Sequence, residues 1–129
     1  MNIPQGLIYS SEHEWCRIED DVAVVGITDF AQGELGDVVF LELPEAGAAT
    51  VAGKEFGTIE AVKAVAELFA PLSGEVVDVN SGVVDSPELV NEDPYGDGWM
   101  IKIKINDPSE MDELLNSQKY EELIGEGGE

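Results

Sequence analysis

Phe56-Gly57-Thr58-Ile59-Glu60-Ala61-Val62-Lys63-Ala64-Val65-Ala66-Glu67-Leu68-Phe69-Ala70 is the stretch on which the fold turns. Local propensity favours a helix, because Ala, Glu, Lys and Leu dominate from residue 60 to residue 70. The apolar pattern gives that helix little support. Ala61, Val62, Ala64, Val65, Ala66, Leu68 and Phe69 leave no coherent polar stripe. The alternative is a hairpin with Lys63 at or near its tip. Its arms would include residues 56–59 and 68–70, the second stopped by Pro71. On residue statistics alone the helix keeps a slight advantage.

Outward from this segment the chain reads as short strands. Gly36-Asp37-Val38-Val39-Phe40-Leu41 on one side echoes Gly74-Glu75-Val76-Val77-Asp78-Val79 on the other. Each is Gly, acid, Val, Val, any residue, aliphatic. Two similar strands flanking one central segment suggest a quasi-symmetric β-sandwich or small barrel. Val22-Ala23-Val24-Val25-Gly26-Ile27 is a further β-branched run. In Trp99-Met100-Ile101-Lys102-Ile103-Lys104-Ile105, alternation puts Trp99, Ile101, Ile103 and Ile105 on one face and the lysines on the other. Near the start, alternation separates His13 and Trp15 from Glu14 and Cys16.

Helices are few. Asp29 with Gln32 three residues on has the form of a capping box, and Gly36 can close that short helix. Asp107-Pro108-Ser109-Glu110 offers an N-cap, Pro at N1 and Glu at N3. Met111, Leu114 and Leu115 follow at helical spacing, and Tyr120, Leu123 and Ile124 repeat it on a second piece.

The 129 residues carry 6 basic and 28 acidic side chains, a formal charge of −22. This excludes phosphate-led binding to nucleic acid and attraction to anionic membranes. It favours solubility and steering toward basic partners. A hydrophobic fraction of 43% is too high for a disordered acidic tail. Cys16 is the single cysteine, so an intramolecular disulfide is impossible and a reducing compartment is expected. The start, Met1-Asn2-Ile3-Pro4-Gln5-Gly6, has neither a basic segment nor a long apolar run, so no signal or transit peptide is expected. The cytoplasm is the expected location, or the mitochondrial matrix if a transit peptide has been removed. One His and one Cys are too few for His13-Glu14-x-Cys16 to read as a metal centre.

Glu60-Ala61-Val62-Lys63-Ala64 resembles the Glu-x-Val-Lys-Ala lipoylation motif of the glycine cleavage system H-protein family. The likeness extends in order through His13-Glu14-Trp15, Val25-Gly26-Ile27-Thr28-Asp29, Ala31-Gln32, Leu35-Gly36-Asp37-Val38-Val39-Phe40 and Leu43-Pro44. It continues through Pro71, Ser73-Gly74-Glu75-Val76, Ser86-Pro87-Glu88-Leu89-Val90-Asn91, Pro94-Tyr95 and Gly98-Trp99. This resemblance decides for the hairpin. It implies a mainly β chain of the barrel-sandwich hybrid type, with a short N-terminal helix and C-terminal helices. The expected organisation is one carrier domain over 1–129, with a core of about 7–106 and a helical extension of about 107–124.

The resemblance also implies a carrier rather than a catalyst. Lipoic acid would be amide-linked to Lys63, with Glu60, Val62 and Ala64 completing the motif. The arm would take an aminomethyl group from a pyridoxal-phosphate glycine decarboxylase. It would present that group to a folate-dependent aminomethyltransferase and be reoxidised by a flavin dihydrolipoyl dehydrogenase. A lipoyl ligase or transferase would attach it, and the carrier would be a monomer. Between visits the cationic amine would shelter in a cleft, with Glu14 and Glu67 as candidate partners and Ser11 and Glu12 nearby. The family often has a small hydroxyl residue in place of Glu12, His in place of Glu34 and Asp in place of Glu67. Two other classes share such a hairpin: a lipoate donor to other lipoyl enzymes, and a biotinyl carrier, whose lysine usually stands between methionines.

Overall fold

The computed structural model of the chain describes residues 2–128. Nine strands form two sheets among them. These are β1 (Ile8–Tyr9), β2 (Glu14–Glu19), β3 (Val22–Ile27), β4 (Val38–Glu42), β5 (Ala49–Thr50), β6 (Glu55–Ala61), β7 (Val65–Phe69), β8 (Gly74–Val79) and β9 (Ile101–Ile105). One sheet has the order β1-β2-β3-β9-β8-β5, the other β4-β6-β7. Every pairing is antiparallel. The expected mainly β class is observed, with the two sheets as open layers rather than a closed barrel.

The segment 56–70 is a hairpin. Tertiary pairing overrides its helical propensity, because β6 pairs β7 on one side and β4 on the other. Those registers line Leu41, Ile59 and Ala66 in one row across the sheet, with Leu41 and Ile59 buried. They pack with Leu68 against Cys16, Val25, Ile27, Val76, Ile101 and Ile103 of the larger sheet. This contact between inner faces is the main core.

The two echoing segments share a structural detail. The register shifts between Val38 and Phe40 in β4, and between Val76 and Asp78 in β8. In each the first Val is buried, while the second, Val39 or Val77, is the exposed extra residue of a bulge. The echo therefore specifies the same interruption of alternation once in each sheet.

The helices are α1 (Asp29–Leu35), α2 (Ser81–Asp85), α3 (Leu89–Glu92) and α4 (Ser117–Gly128), with a 3₁₀ turn at Pro108–Glu113. The cap of α1 stands one residue earlier than the sequence suggests. Thr28 is the N-cap and accepts from the Ala31 amide, while Gln32 Nε2 donates to Asp29 Oδ1 at 2.7 Å. The turn after Asp107 is 3₁₀ rather than α. Its Glu110 accepts from the amide and hydroxyl of Ser73 instead of closing a capping box. Helix α4 runs to Gly128, beyond the expected end near 124, and Asn116 Oδ1 receives the Lys119 amide at its start.

Helix α4 covers the outer face of the larger sheet. Tyr120 and Ile124 pack on Tyr9, Trp15 and Val24, and the Tyr9 and Tyr120 rings stack at 4.7 Å. Trp99 joins this outer cluster and not the inner face predicted by alternation; Met100 enters the main core, and Lys102 sits over the Trp99 ring. Strand β9 starts only at Ile101, so period-two alternation does not extend back to Trp99.

Candidate functional site

Lys63 is the middle residue of the three-residue connection, Val62 to Ala64, between β6 and β7 and is exposed. The Ala61 amide donates to the Ala64 carbonyl at 2.7 Å, which closes the tip, and the Val62 amide donates to the Asp37 carbonyl at 3.0 Å. The tip is thereby tied to the junction of α1 and β4. Asn91 of α3 braces the same junction, donating to Gln32 Oε1 and the Gly36 carbonyl and accepting from the Val38 amide.

Gly36 serves this arrangement in two ways. Its φ of 84° is costly for any residue with a side chain. A Cβ there would also stand 3.2 Å from Lys63 Cε, so the missing side chain leaves a path for the lysine stem.

Beside the hairpin lies a cleft of about 310 Å³. Helix α1 forms one wall with Phe30, Ala31, Glu34 and Leu35; strand β7 forms the other with Ala66, Glu67 and Leu68. Ile27 and Ile59 add apolar surface, and Glu12, His13 and Glu14 complete the lining. An apolar interior with four carboxylates suits a hydrocarbon chain that ends in a cation.

Glu14 is 2% exposed. Its Oε1 accepts from Ser10 Oγ at 2.6 Å and its Oε2 from the Phe69 amide at 3.3 Å, so one carboxylate joins β7 to the larger sheet. Burial pushes its pKa up to about 7, against the opposing pull of these hydrogen bonds. The fold therefore prefers the protonated form, and its contribution to stability fades as pH rises from about 4.5 through about 7. Glu14→Gln keeps the shape and removes the charge. It is expected to raise stability by about 1–2 kcal/mol at pH 8, after allowing for an imperfect amide fit, and to leave it unchanged near pH 4. Chemical denaturation at the two pH values checks this.

Of the residues singled out from sequence, Glu12, Glu14 and Glu67 line this cleft, as does Glu34. Ser11 is exposed and is not among the lining residues; the serine touching Glu14 is Ser10. Glu60 is half-buried in the row between Phe40 and Val65. Val62 is 76% exposed, and Ala64 closes the tip through its carbonyl. Phe30, Ala31 and Leu35 of α1, and Gly36 after it, carry no sequence signal that marks them as site residues. Cys16 is buried in the main core, where burial pushes its thiol pKa up. Among the described residues no group of three His, Cys, Asp or Glu side chains is placed to hold a metal ion.

Residues 7–127 match the family model described as glycine cleavage H-protein. The chain belongs to this family. A glycine cleavage system H protein of a Geobacillus species is 56% identical over 127 residues, covering 98% of this chain and all of the relative. One from Carboxydothermus hydrogenoformans is 54% identical, with 98% of each chain covered. The crystal structure of a glycine cleavage system H protein from Mycobacterium marinum superposes with a TM-score of 0.86 at 37% identity, covering 95% of this chain and 99% of that one. H proteins are carrier subunits of the glycine cleavage system and not catalysts. No helix of the described residues is long and apolar enough to cross a membrane.

Proposed function

We infer that the chain is the lipoyl carrier of a glycine cleavage system, with the group in amide linkage to Lys63 Nζ. One observation carries the reading: the single lysine at the tip of the β6–β7 hairpin stands beside an acid-lined apolar cleft in an H-protein chain. When attached, the group supplies a disulfide that opens to a dithiol and closes again on oxidation.

The chain's own residues provide presentation and shelter. The braced tip keeps the Lys63 backbone fixed, so motion is confined to the side chain and what it carries. Gly36 leaves the stem room to lie back toward α1. Ile27, Phe30, Leu35, Ile59 and Leu68 offer an apolar surface that excludes water. Glu12, Glu14, Glu34 and Glu67 supply negative charge for an ammonium. With its pKa near 7, Glu14 becomes fully ionised when a cation arrives, so amine entry below pH 7 releases a proton.

The partners of this reading are the pyridoxal-phosphate glycine decarboxylase, the folate-dependent aminomethyltransferase, the dihydrolipoyl dehydrogenase and a lipoyl-attaching enzyme. The cytoplasm is the proposed location, and the whole chain acts as one carrier unit. Acylating Lys63 reduces the 6 basic residues to 5, so 5 − 28 takes the formal charge from −22 to −23. Such a surface meets basic partner rims by steering rather than by a large permanent interface. In a reconstituted assay, the lipoylated chain is expected to support glycine-dependent carbon dioxide release by the decarboxylase at rates that fall about tenfold from low to high salt. No support by the lipoylated chain contradicts the carrier reading; a rate indifferent to salt contradicts the steering.

A further inference from the structure

We propose that Tyr120, reaching from α4, fixes His13 as an uncharged imidazole with its proton on Nε2, and so keeps positive charge out of the cleft. Tyr120 and Thr28 become positioning residues for the cleft, acting through His13. The inference deepens the carrier reading, since excluding positive charge matters only where a cation is to be held.

The hydrogen bonds can be ordered by counting protons. Thr28 is fully buried. Its Oγ1 accepts from the Ala31 amide at 3.2 Å, and its other partner is Tyr120 Oη at 2.7 Å. A buried hydroxyl proton needs an acceptor, and Tyr120 Oη is the one within reach. Thr28 therefore donates to Tyr120. Tyr120, also fully buried, must then pass its own proton onward, and His13 Nδ1 lies 2.8 Å away. A ring that accepts at Nδ1 carries its proton on Nε2 and is neutral. Burial pushes the Tyr120 phenol up to about 12, which keeps it a donor throughout the physiological range.

Protonating His13 would reverse this sequence. Nδ1–H would donate to Tyr120, Tyr120 to Thr28, and the Thr28 proton would lose its acceptor. Tyr120 on α4 bonds the ring, and four carboxylates line the same cleft: Glu12 on its own segment, Glu14 on β2, Glu34 on α1 and Glu67 on β7. Glu12 and Glu34 pull toward the charged form, yet burial wins and the imidazole pKa lies below its ordinary value. The position is held further by Phe30, whose ring centroid is 4.9 Å from that of His13, and by a left-handed backbone at His13 with φ 75°. A neutral ring leaves the four carboxylates uncontested and adds one N–H donor. An imidazolium there would compete with the amine.

His13 is the single histidine of the sequence, so its ring signals need no assignment. Nitrogen-15 NMR of the unmodified full chain is expected to show the Nε2–H tautomer at pH 7 and a titration midpoint below that of free imidazole. Tyr120→Phe keeps the stack on Tyr9 and removes only the hydroxyl. It should abolish the tautomer preference and raise the midpoint by about one pH unit. Thr28→Ser retains both the cap and the relay and should leave the spectrum unchanged. In the loaded carrier, Tyr120→Phe should release its amine faster below pH 7 and normally at pH 8. An Nδ1–H tautomer or imidazolium in the wild type at pH 7, or an unaltered spectrum in Tyr120→Phe, overturns the proposal. Those readouts come from the unmodified chain, so their failure leaves attachment at Lys63 untouched, and a failure of attachment leaves them untouched.

Discussion

Lys63→Arg is expected to abolish carrier activity while leaving the fold intact. Arginine keeps the charge and nearly the reach, but its guanidinium, protonated at every workable pH, cannot be acylated to a stable amide under the conditions that modify an amine. Among the described residues Lys63 has no hydrogen-bond or ion-pair partner: the ion pair found there joins Arg17 to Glu19. The tip is closed by backbone bonds of Ala61, Val62 and Ala64, which the substitution does not touch. Stability should therefore change by no more than about 0.5 kcal/mol. Glycine-dependent carbon dioxide release should fall to the level without carrier. A variant that unfolds would assign Lys63 a structural role that its exposed position does not explain.

Gly74→Ala carries the largest expected effect on stability. Gly74 opens β8 and pairs with Ile105 of β9 on one side and Thr50 of β5 on the other. A Cβ there would lie 2.0 Å from the Lys104 carbonyl oxygen and 2.7 Å from Ile103 Cγ2. A backbone carbonyl inside a sheet cannot rotate away as a side chain can. Relief requires β8 to move off β9, opening the ladder that carries Val76 and Ile103 into the core. The expected loss is about 3 kcal/mol, a fall in Tm of about 10 °C. Gly125→Ala in α4 is the control, because a Cβ there meets nothing within 4 Å. It should be neutral or slightly stabilising. Thermal unfolding of both variants checks the β8–β9 register, and an unchanged Tm for Gly74→Ala would contradict it.

Strand existence was legible from β-branched runs and their stops; the run Val22–Ile27 coincides with β3. Lys63 and the acids later found in the cleft were legible from resemblance. What stayed hidden depends on contacts distant in sequence. Residues 60–70 have helical composition, and only pairing with β4 and burial of Ile59 and Leu68 make them strands. Helix α2 contains Gly82, Val83 and Val84, all poor helix formers, and its start rests on the Asn80 side chain receiving the Gly82 amide. The first helix is capped by Thr28 rather than Asp29, and the buried threonine is also bonded to Tyr120, 92 residues away. The cleft joins residues 12–14, one face of α1 and one arm of the hairpin, a meeting that no local pattern encodes.

The most direct test of the central claim is peptide mapping by mass spectrometry after the purified chain is incubated with a lipoyl-attaching enzyme, lipoate and ATP. Lys54, Lys63, Lys102, Lys104 and Lys119 are all available as amines in one molecule, so the experiment contains its own competitors. The expected result is a single lipoyl increment confined to the peptide containing Lys63, and none in Lys63→Arg. An increment on another lysine, a biotinyl increment on the chain from its native cell, or no modification at all would contradict it.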